Sequence, residues 1–168
     1  MKKKESKMKK EEKTNVMRVL DSKKIKYQHY YYGDTDAISG TDVAKALGQN
    51  PECVFKTLVT EGKTKNHYVF IVPVEKELDL KKAAKSVGEK HVEMIHVKDI
   101  NKVTGYIRGG CSPIGMKKQF KTFIHQTADS FDTIYFSGGR VGSQVEMSPS
   151  DLKKAVPVLP RDLIKEQK

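Results

Sequence analysis

The period of apolar residues along the chain switches repeatedly between about 3.6 and 2, the repeats of helix and strand. Val16, Val19 and Leu20 fall at helical spacing behind Asn15, a candidate N-cap. Residues 25–32 then read as a tyrosine-rich strand, in which Tyr31 must face away from Tyr30 and Tyr32. Thr41 is placed to cap a short helix carrying Val43, Ala44 and Leu47, with Gly48 at its end. Two strand-like runs, 53–60 and 67–72, flank Glu61-Gly-Lys and predict a hairpin. Leu80, Ala83, Ala84 and Val87 form the next helical stripe, between Asp79 as cap and Gly88 as stop. A short strand over 92–97 and one or two helical turns over 98–103 follow. Strands are predicted at 122–125, 133–136 and 144–147. Ser148 and Pro149 start a last helix, and Pro157 and Pro160 are expected to end the fold. Short strands alternating with short helices, with frequent hairpin signals, predict a single α/β domain on a mixed sheet.

Two glycine-rich segments interrupt this pattern. Residues 105–115 (GYIRGGCSPIG) hold four glycines, a proline and a serine. Such a run cannot propagate a helix, and Pro113 cannot donate to a sheet ladder. Residues 137–142 (SGGRVG) form a second glycine-rich turn. Either is an ordinary surface loop or a wall that presents backbone N–H groups to a ligand.

Composition narrows the class. At 37% hydrophobic residues over 168 positions, no stretch approaches the roughly 20 apolar residues of a membrane span. The lysine-rich start has no apolar segment after it, so no secretory signal is expected. Two cysteines, Cys53 and Cys111, make no disulfide framework, and the histidines are scattered. The expectation is a cytoplasmic protein without a zinc site. Net charge is +11, and residues 1–13 carry seven lysines against three glutamates. That segment is too polar to order itself and reads as a disordered basic tail. The basic remainder suits a polyanionic partner.

Candidate chemistry centres on Lys56, which sits inside the apolar run Val54-Phe-Lys-Thr-Leu-Val59. Its stem either covers apolar surface while the ammonium reaches water, or it is a cation at the floor of a cleft. With both glycine turns and the hydroxyls of Ser112 and Ser137, it would suit a phosphate-bearing or acyl-ester ligand. No Ser-His-Asp order has an interpretable spacing, and neither loop is a standard nucleotide loop. Cys111 is a possible nucleophile but reads better as a plain loop cysteine.

Four motifs in order carry a resemblance: Val-Phe-Lys-Thr-Leu at 54–58, Leu-Asp-Leu-Lys-Lys-Ala-Ala-Lys at 78–85, Thr-Gly-Tyr-Ile-Arg-Gly-Gly-Cys-Ser-Pro-Ile-Gly at 104–115 and Tyr-Phe-Ser-Gly-Gly-Arg at 135–140. Together they resemble the YbaK/EbsC family of Cys-tRNA(Pro) deacylases, over roughly Thr14 to Leu163. The resemblance implies a strongly bent, barrel-like mixed sheet shared with the editing domain of prolyl-tRNA synthetase. It divides the chain into a tail at 1–13, a deacylase domain at 14–163 and a charged tail at 164–168. It implies trans-editing of Cys-tRNA(Pro), with tRNA(Pro) and prolyl-tRNA synthetase as partners and no cofactor. Its implied catalytic groups are Lys56 and the Gly110 N–H, the latter holding an oxyanion. Its implied substrate contacts are Tyr32 (or Tyr31), Thr57, Gly109, Ser112, Pro113, Ser137 and Gly138. The substrate's own thiol would attack its ester, so no protein base is required. Two positions depart from the family pattern: Ser39 replaces an aromatic, and Gln144 replaces an aspartate. Editing of another small amino acid such as alanine, and a non-catalytic tRNA- or synthetase-binding module, are the alternatives.

Overall fold

The computed structural model describes residues 12–166. Strand β1 (Gln28–Tyr31), helix α1 (Asn15–Ser22) before it and helix α2 (Gly40–Ala46) after it open the fold. The hairpin follows as β2 (Phe55–Gly62) and β3 (His67–Pro73), in a register that runs from Phe55 opposite Pro73 to Glu61 opposite His67. Next come α3 (Leu80–Val87), β4 (Val92–Met94), α4 (Ile100–Thr104), β5 (Lys121–His125), β6 (Ile134–Ser137), β7 (Ser143–Met147), α5 (Pro149–Ala155) and β8 (Val158–Arg161).

The main sheet has five strands in the order β4-β2-β3-β5-β8. Its hairpin and β4 are antiparallel, while β5 and β8 join in parallel. Parallel pairing needs a long crossover, and the segments between β3 and β5 and between β5 and β8 supply one each. A second antiparallel sheet, β1-β7-β6, meets the first through one parallel bridge between Val54 and Tyr135. This gives the mixed α/β single domain that the alternation of periods predicts.

Alternation of side chains along β3 feeds two cores. Ile71 enters a core between the sheets, with Leu20 from α1, Leu152 from α5 and Phe136. Phe70 and Val72 face a second core under α3, with Ala83, Ala84, Phe123 and Leu163. Phe70 and Phe123 stack with ring centroids 5.7 Å apart.

Local details differ from expectation for identifiable reasons. Helix α1 is capped by Thr14, whose Oγ1 accepts from the Met17 N–H at 3.2 Å; Asn15 instead donates to the Gly115 carbonyl. Ser39, not Thr41, caps α2. Pro51–Cys53 form a 3₁₀ turn, so the strand expected from Cys53 starts at Phe55. The predicted strand at 92–97 stops at Met94, and Val97–Asp99 form another 3₁₀ turn. Pro157 and Pro160 do not end the fold, because β8 runs through Pro160 opposite Ile124. That strand lies at the sheet's edge, where proline's missing N–H costs no ladder bond. The chain continues in contact past residue 163: Ile164 bridges Leu78, and the Lys165 N–H donates to the Glu77 carbonyl at 3.0 Å. At the other end, Glu12 pairs with Arg140 and Lys13 with Asp21, within the segment expected to be a tail. Residues 1–11, the bulk of the predicted disordered tail, lie outside the described residues.

The end of β5 carries a pH-sensitive contact. His125 is buried, and its Nδ1 accepts from the Leu163 N–H at 3.2 Å. Burial holds its pKa below the ordinary 6.5. The unfolded chain therefore takes up a proton first as pH falls, and stability declines from about pH 6.5 downwards. Thermal melts between pH 8 and 5 should show this decline, and His125→Gln should flatten it.

Candidate active site

The two sides of β2 determine where the site lies. Val54 O accepts from Val74 N, and Gly62 N donates to Asn66 O, so even-numbered residues bond towards β3. Odd-numbered residues present their backbone to the opposite edge. There β4 pairs only with Thr60–Gly62, and the bridge to Tyr135 holds only Val54. Between these anchors the edge of β2 has no strand partner, and a cavity of about 400 Å³ opens against it. Residues 54–59 line it without interruption, with Phe136 and Ser137 from the β6 side and Met94 and Ile95 from the β4 side.

Lys56 projects into this cavity and is half-buried. Among the described residues its ammonium has no hydrogen-bond or salt-bridge partner. Burial lowers its pKa, with the more distant Glu77 carboxylate opposing the shift. An incompletely solvated, unpaired cation is a standing attraction for an anion or a developing negative charge. Beside it, Thr57 Oγ1 is shielded from water and has no hydrogen-bond partner among the described residues. Buried hydroxyls are normally satisfied, so this orphan calls for a partner that no described residue supplies. The Thr57 N–H faces the same unpaired edge.

The glycine turns form the far wall and meet each other directly. Gly110 packs so closely on the second turn that a methyl there would lie 3.1 Å from Arg140 Cα and 3.2 Å from Val141 N. Gly109, at φ +87°, lines the cavity and leaves room for Ile38 and Val141. Ser137 lines it too, and its Oγ accepts from the Gly139 N–H at 3.0 Å.

Tyr32, Lys56, Thr57, Gly109 and Ser137 thus come together on one cavity. Four other expected residues stand behind its surface. The Gly110 N–H donates to the Ile107 carbonyl at 2.9 Å, closing a turn, and so it is not a free oxyanion donor. Ser112 is buried and its Oγ accepts from the Ile114 N–H, while Pro113 is buried beside it. Gly138 is buried where a side chain would overlap Ser143 Oγ. Tyr31 faces a second cleft of about 580 Å³, which shares only Tyr32 and Ile38 with the first.

Sequence reasoning did not place Arg108, Phe136, Ser143 or Gln144 on this wall. Cys111 also lines it, but burial pushes its thiol up to about 11, so it stays protonated at neutral pH. The lining contains no histidine, aspartate or glutamate. Three or more metal-ligating side chains do not cluster anywhere among the described residues.

Thr57→Val separates ligand contact from support. Removing an unpartnered buried hydroxyl should leave the melting temperature unchanged or raised, while lost contact with a ligand should lower turnover about tenfold. A drop in both would make Thr57 a packing residue.

Residues 35–155 match the family described as the aminoacyl-tRNA editing domain, and the chain belongs to that family. It is 46% identical over 145 residues to a protein of Enterococcus faecalis with the provisional name Cys-tRNA(Pro)/Cys-tRNA(Cys) deacylase EbsC, covering 86% of this chain and 88% of that one. Among solved structures, the hypothetical protein APE2540 superposes with a TM-score of 0.83 at 20% identity, covering 90% of this chain and all of the other. A crystal structure provisionally described as a trans-editing enzyme for prolyl-tRNA synthetase superposes at 0.78, with 20% identity over 90% and 96% of the two chains. These last two share the fold.

Proposed function

We propose that the protein is a trans-editing deacylase that removes cysteine mischarged onto tRNA(Pro). The observation that carries this reading is the cavity itself: an unpaired ammonium and an orphan hydroxyl on an open strand edge, with no carboxylate or imidazole on the wall. A site built this way holds and polarises an ester but offers no base to activate water. The nucleophile then has to come from the substrate, and a cysteinyl ester has one in its thiol.

In the reaction, the thiol sulfur attacks the ester carbonyl carbon. A sulfur–carbon bond forms, the carbon–oxygen bond to the ribose breaks, and the released ribose oxygen takes the proton that the thiol gives up. The products are a cyclic thiolactone and free tRNA. Lys56 anchors the sugar-phosphate of the terminal adenosine. The Thr57 N–H and hydroxyl take the carbonyl oxygen as it gains charge, the role that the Gly110 N–H cannot fill. Tyr32 and Ser137 close the acyl end. The neighbouring cleft, with Tyr31 and Arg140 on its wall, gives the preceding nucleotide a place. Docking with prolyl-tRNA synthetase would supply the choice of tRNA, since the domain is too small to reach an anticodon.

A deacylation panel tests this. Cys-tRNA(Pro), Cys-tRNA(Cys) and Ala-tRNA(Pro) are incubated with the protein, alone and with the synthetase. Cleavage of Cys-tRNA(Pro) well above the uncatalysed rate is expected, with Ala-tRNA(Pro) cleaved far more slowly. Preferred cleavage of the alanyl ester would reassign the substrate. Salt-dependent tRNA binding with no ester cleavage in a single turnover would make the protein a binding module.

A further inference from the structure

Gln144 lies on β7 opposite Tyr30 and Ser137, and it is 2% exposed on the cavity wall. Its amide is locked in a reciprocal pair with Gln49, just beyond α2: Gln49 Nε2 donates to Gln144 Oε1 at 2.7 Å, and Gln144 Nε2 donates to Gln49 Oε1 at 2.9 Å. A saturated amide pair neither titrates nor turns towards a ligand. The charged residues on the wall are Lys56 and Arg108.

The surrounding groups keep that balance. Two residues along β7, on the same strand face, Glu146 is tied down by the hydroxyls of Tyr30 and Thr133 and is absent from the wall. His29, on β1, contacts Ser143 Oγ at 3.1 Å, and burial lowers its pKa. Tyr32 and Cys111 have pKa values raised by burial, and Cys53, behind Val54, is likewise raised. All four are uncharged at neutral pH. Glu77 acts on Lys56 from outside the lining.

We propose that Gln144 selects the acyl group by charge: by keeping a carboxylate off the wall, it leaves the cavity net positive, so the site disfavours a protonated α-amine and favours an ionised side-chain thiol. This rests on the deacylase reading. An ammonium in the cavity meets Lys56 and Arg108 with no carboxylate on the wall to offset them. A thiol there has its ionised form stabilised by the same two charges. An alanyl ester presents only the unfavourable group, and a cysteinyl ester presents both. Discrimination between two small side chains then comes from charge, where a missing atom alone supplies only a modest factor.

The experiment compares Gln144→Glu with Gln49→Glu. Both break the amide pair and add one carboxyl, but only position 144 is on the cavity wall. For Gln144→Glu, the ratio of cysteinyl to alanyl deacylation at pH 8 should fall by at least about tenfold, the effect of one pKa unit. Its shortfall relative to the wild type at the same pH should close as pH falls and the new carboxyl takes up a proton. For Gln49→Glu the ratio should stay near that of the wild type. Equal loss in both variants, or no loss in either, overturns the proposal.

A second measurement uses the unaltered protein and needs no turnover. Affinities for the stable 3′-amide analogues of cysteinyl- and alanyl-adenosine are measured between pH 6 and 9. The preference for the cysteinyl analogue should rise with pH; a flat ratio overturns the proposal. Binding of neither analogue, together with no ester cleavage by the wild type, would instead remove the deacylase reading and this proposal with it.

Discussion

Replacing Lys56 with alanine should lower deacylation of Cys-tRNA(Pro) by about 10²–10³-fold, the usual cost of losing a preorganised charge stabiliser. The ammonium projects into the cavity and has no hydrogen-bond or salt-bridge partner among the described residues, so its interaction free energy is available to the substrate. Arginine should not restore the rate, because a planar fork at this depth cannot reproduce a compact point charge. The fold should tolerate the change, since removing a partly desolvated cation relieves a cost. Wild-type activity in Lys56→Ala would exclude the lysine from the mechanism.

The lowered pKa of Lys56 sets two trends of opposite sign. Its charge is lost at a pH below the 10.5 of a free lysine. Within that interval the unfolded chain holds the proton more tightly than the fold does, so this group's contribution makes the fold more stable as pH rises. Binding of adenosine 5′-monophosphate, whose phosphate the ammonium would hold, should weaken over the same interval. Lys56→Met should remove both trends, as followed by melting and by titration calorimetry.

Gly110→Ala is the second large effect, and it acts without touching a substrate atom. The added methyl would press on Arg140 Cα, Arg140 C and Val141 N, all main-chain atoms with no rotamer to yield. The two glycine turns have to separate. Overpacking of this kind costs about 1–3 kcal/mol of stability. Catalysis should fall as well, by about tenfold, because a shift of a few tenths of an ångström in the wall moves Gly109 and Ser137 from their places. A stable variant with full activity would show that the contact between the turns is dispensable. The outcome also separates two roles for the residue: an amide donor would keep its N–H in Gly110→Ala, whereas a spacer would fail.

How far the sequence led depended on whether a feature was local. Lys56 stood out because period-2 alternation placed a cation among Val54, Phe55 and Leu58, all in one run. The glycine turns stood out by composition. Their contact through Gly110 was not readable, since it depends on how β6 and β7 pack beside the loop that follows α4. The oxyanion assignment failed at Gly110 because its N–H closes a turn on Ile107, a geometry that a string of glycines does not specify. Gln144 was noticed as an unusual residue, but its place on the wall depends on the register of β7 and on Gln49, 95 positions away in sequence. Strand β8 was missed because Pro157 and Pro160 look like terminators when nothing reveals that they fall on an outer strand. Thr14 and Ser39 displaced the expected caps by one and two residues, within the usual ambiguity where several small polar residues adjoin a helix start.

The partial pairing of β2 also limits what may enter. Its uncovered stretch, residues 55–58, spans about 13 Å at roughly 3.3 Å per residue. An aperture of that length admits one frayed nucleotide with its acyl cargo and turns away a duplex, which is wider than the opening is long. Its two jambs, the Val54–Tyr135 bridge and the Thr60–Met94 pairing, lie outside the chemistry. Lengthening or shortening the connections that lead into β4 and β6 would therefore resize the doorway while Lys56 and Thr57 stayed where they are, a route by which one scaffold can be refitted to a different aminoacyl end.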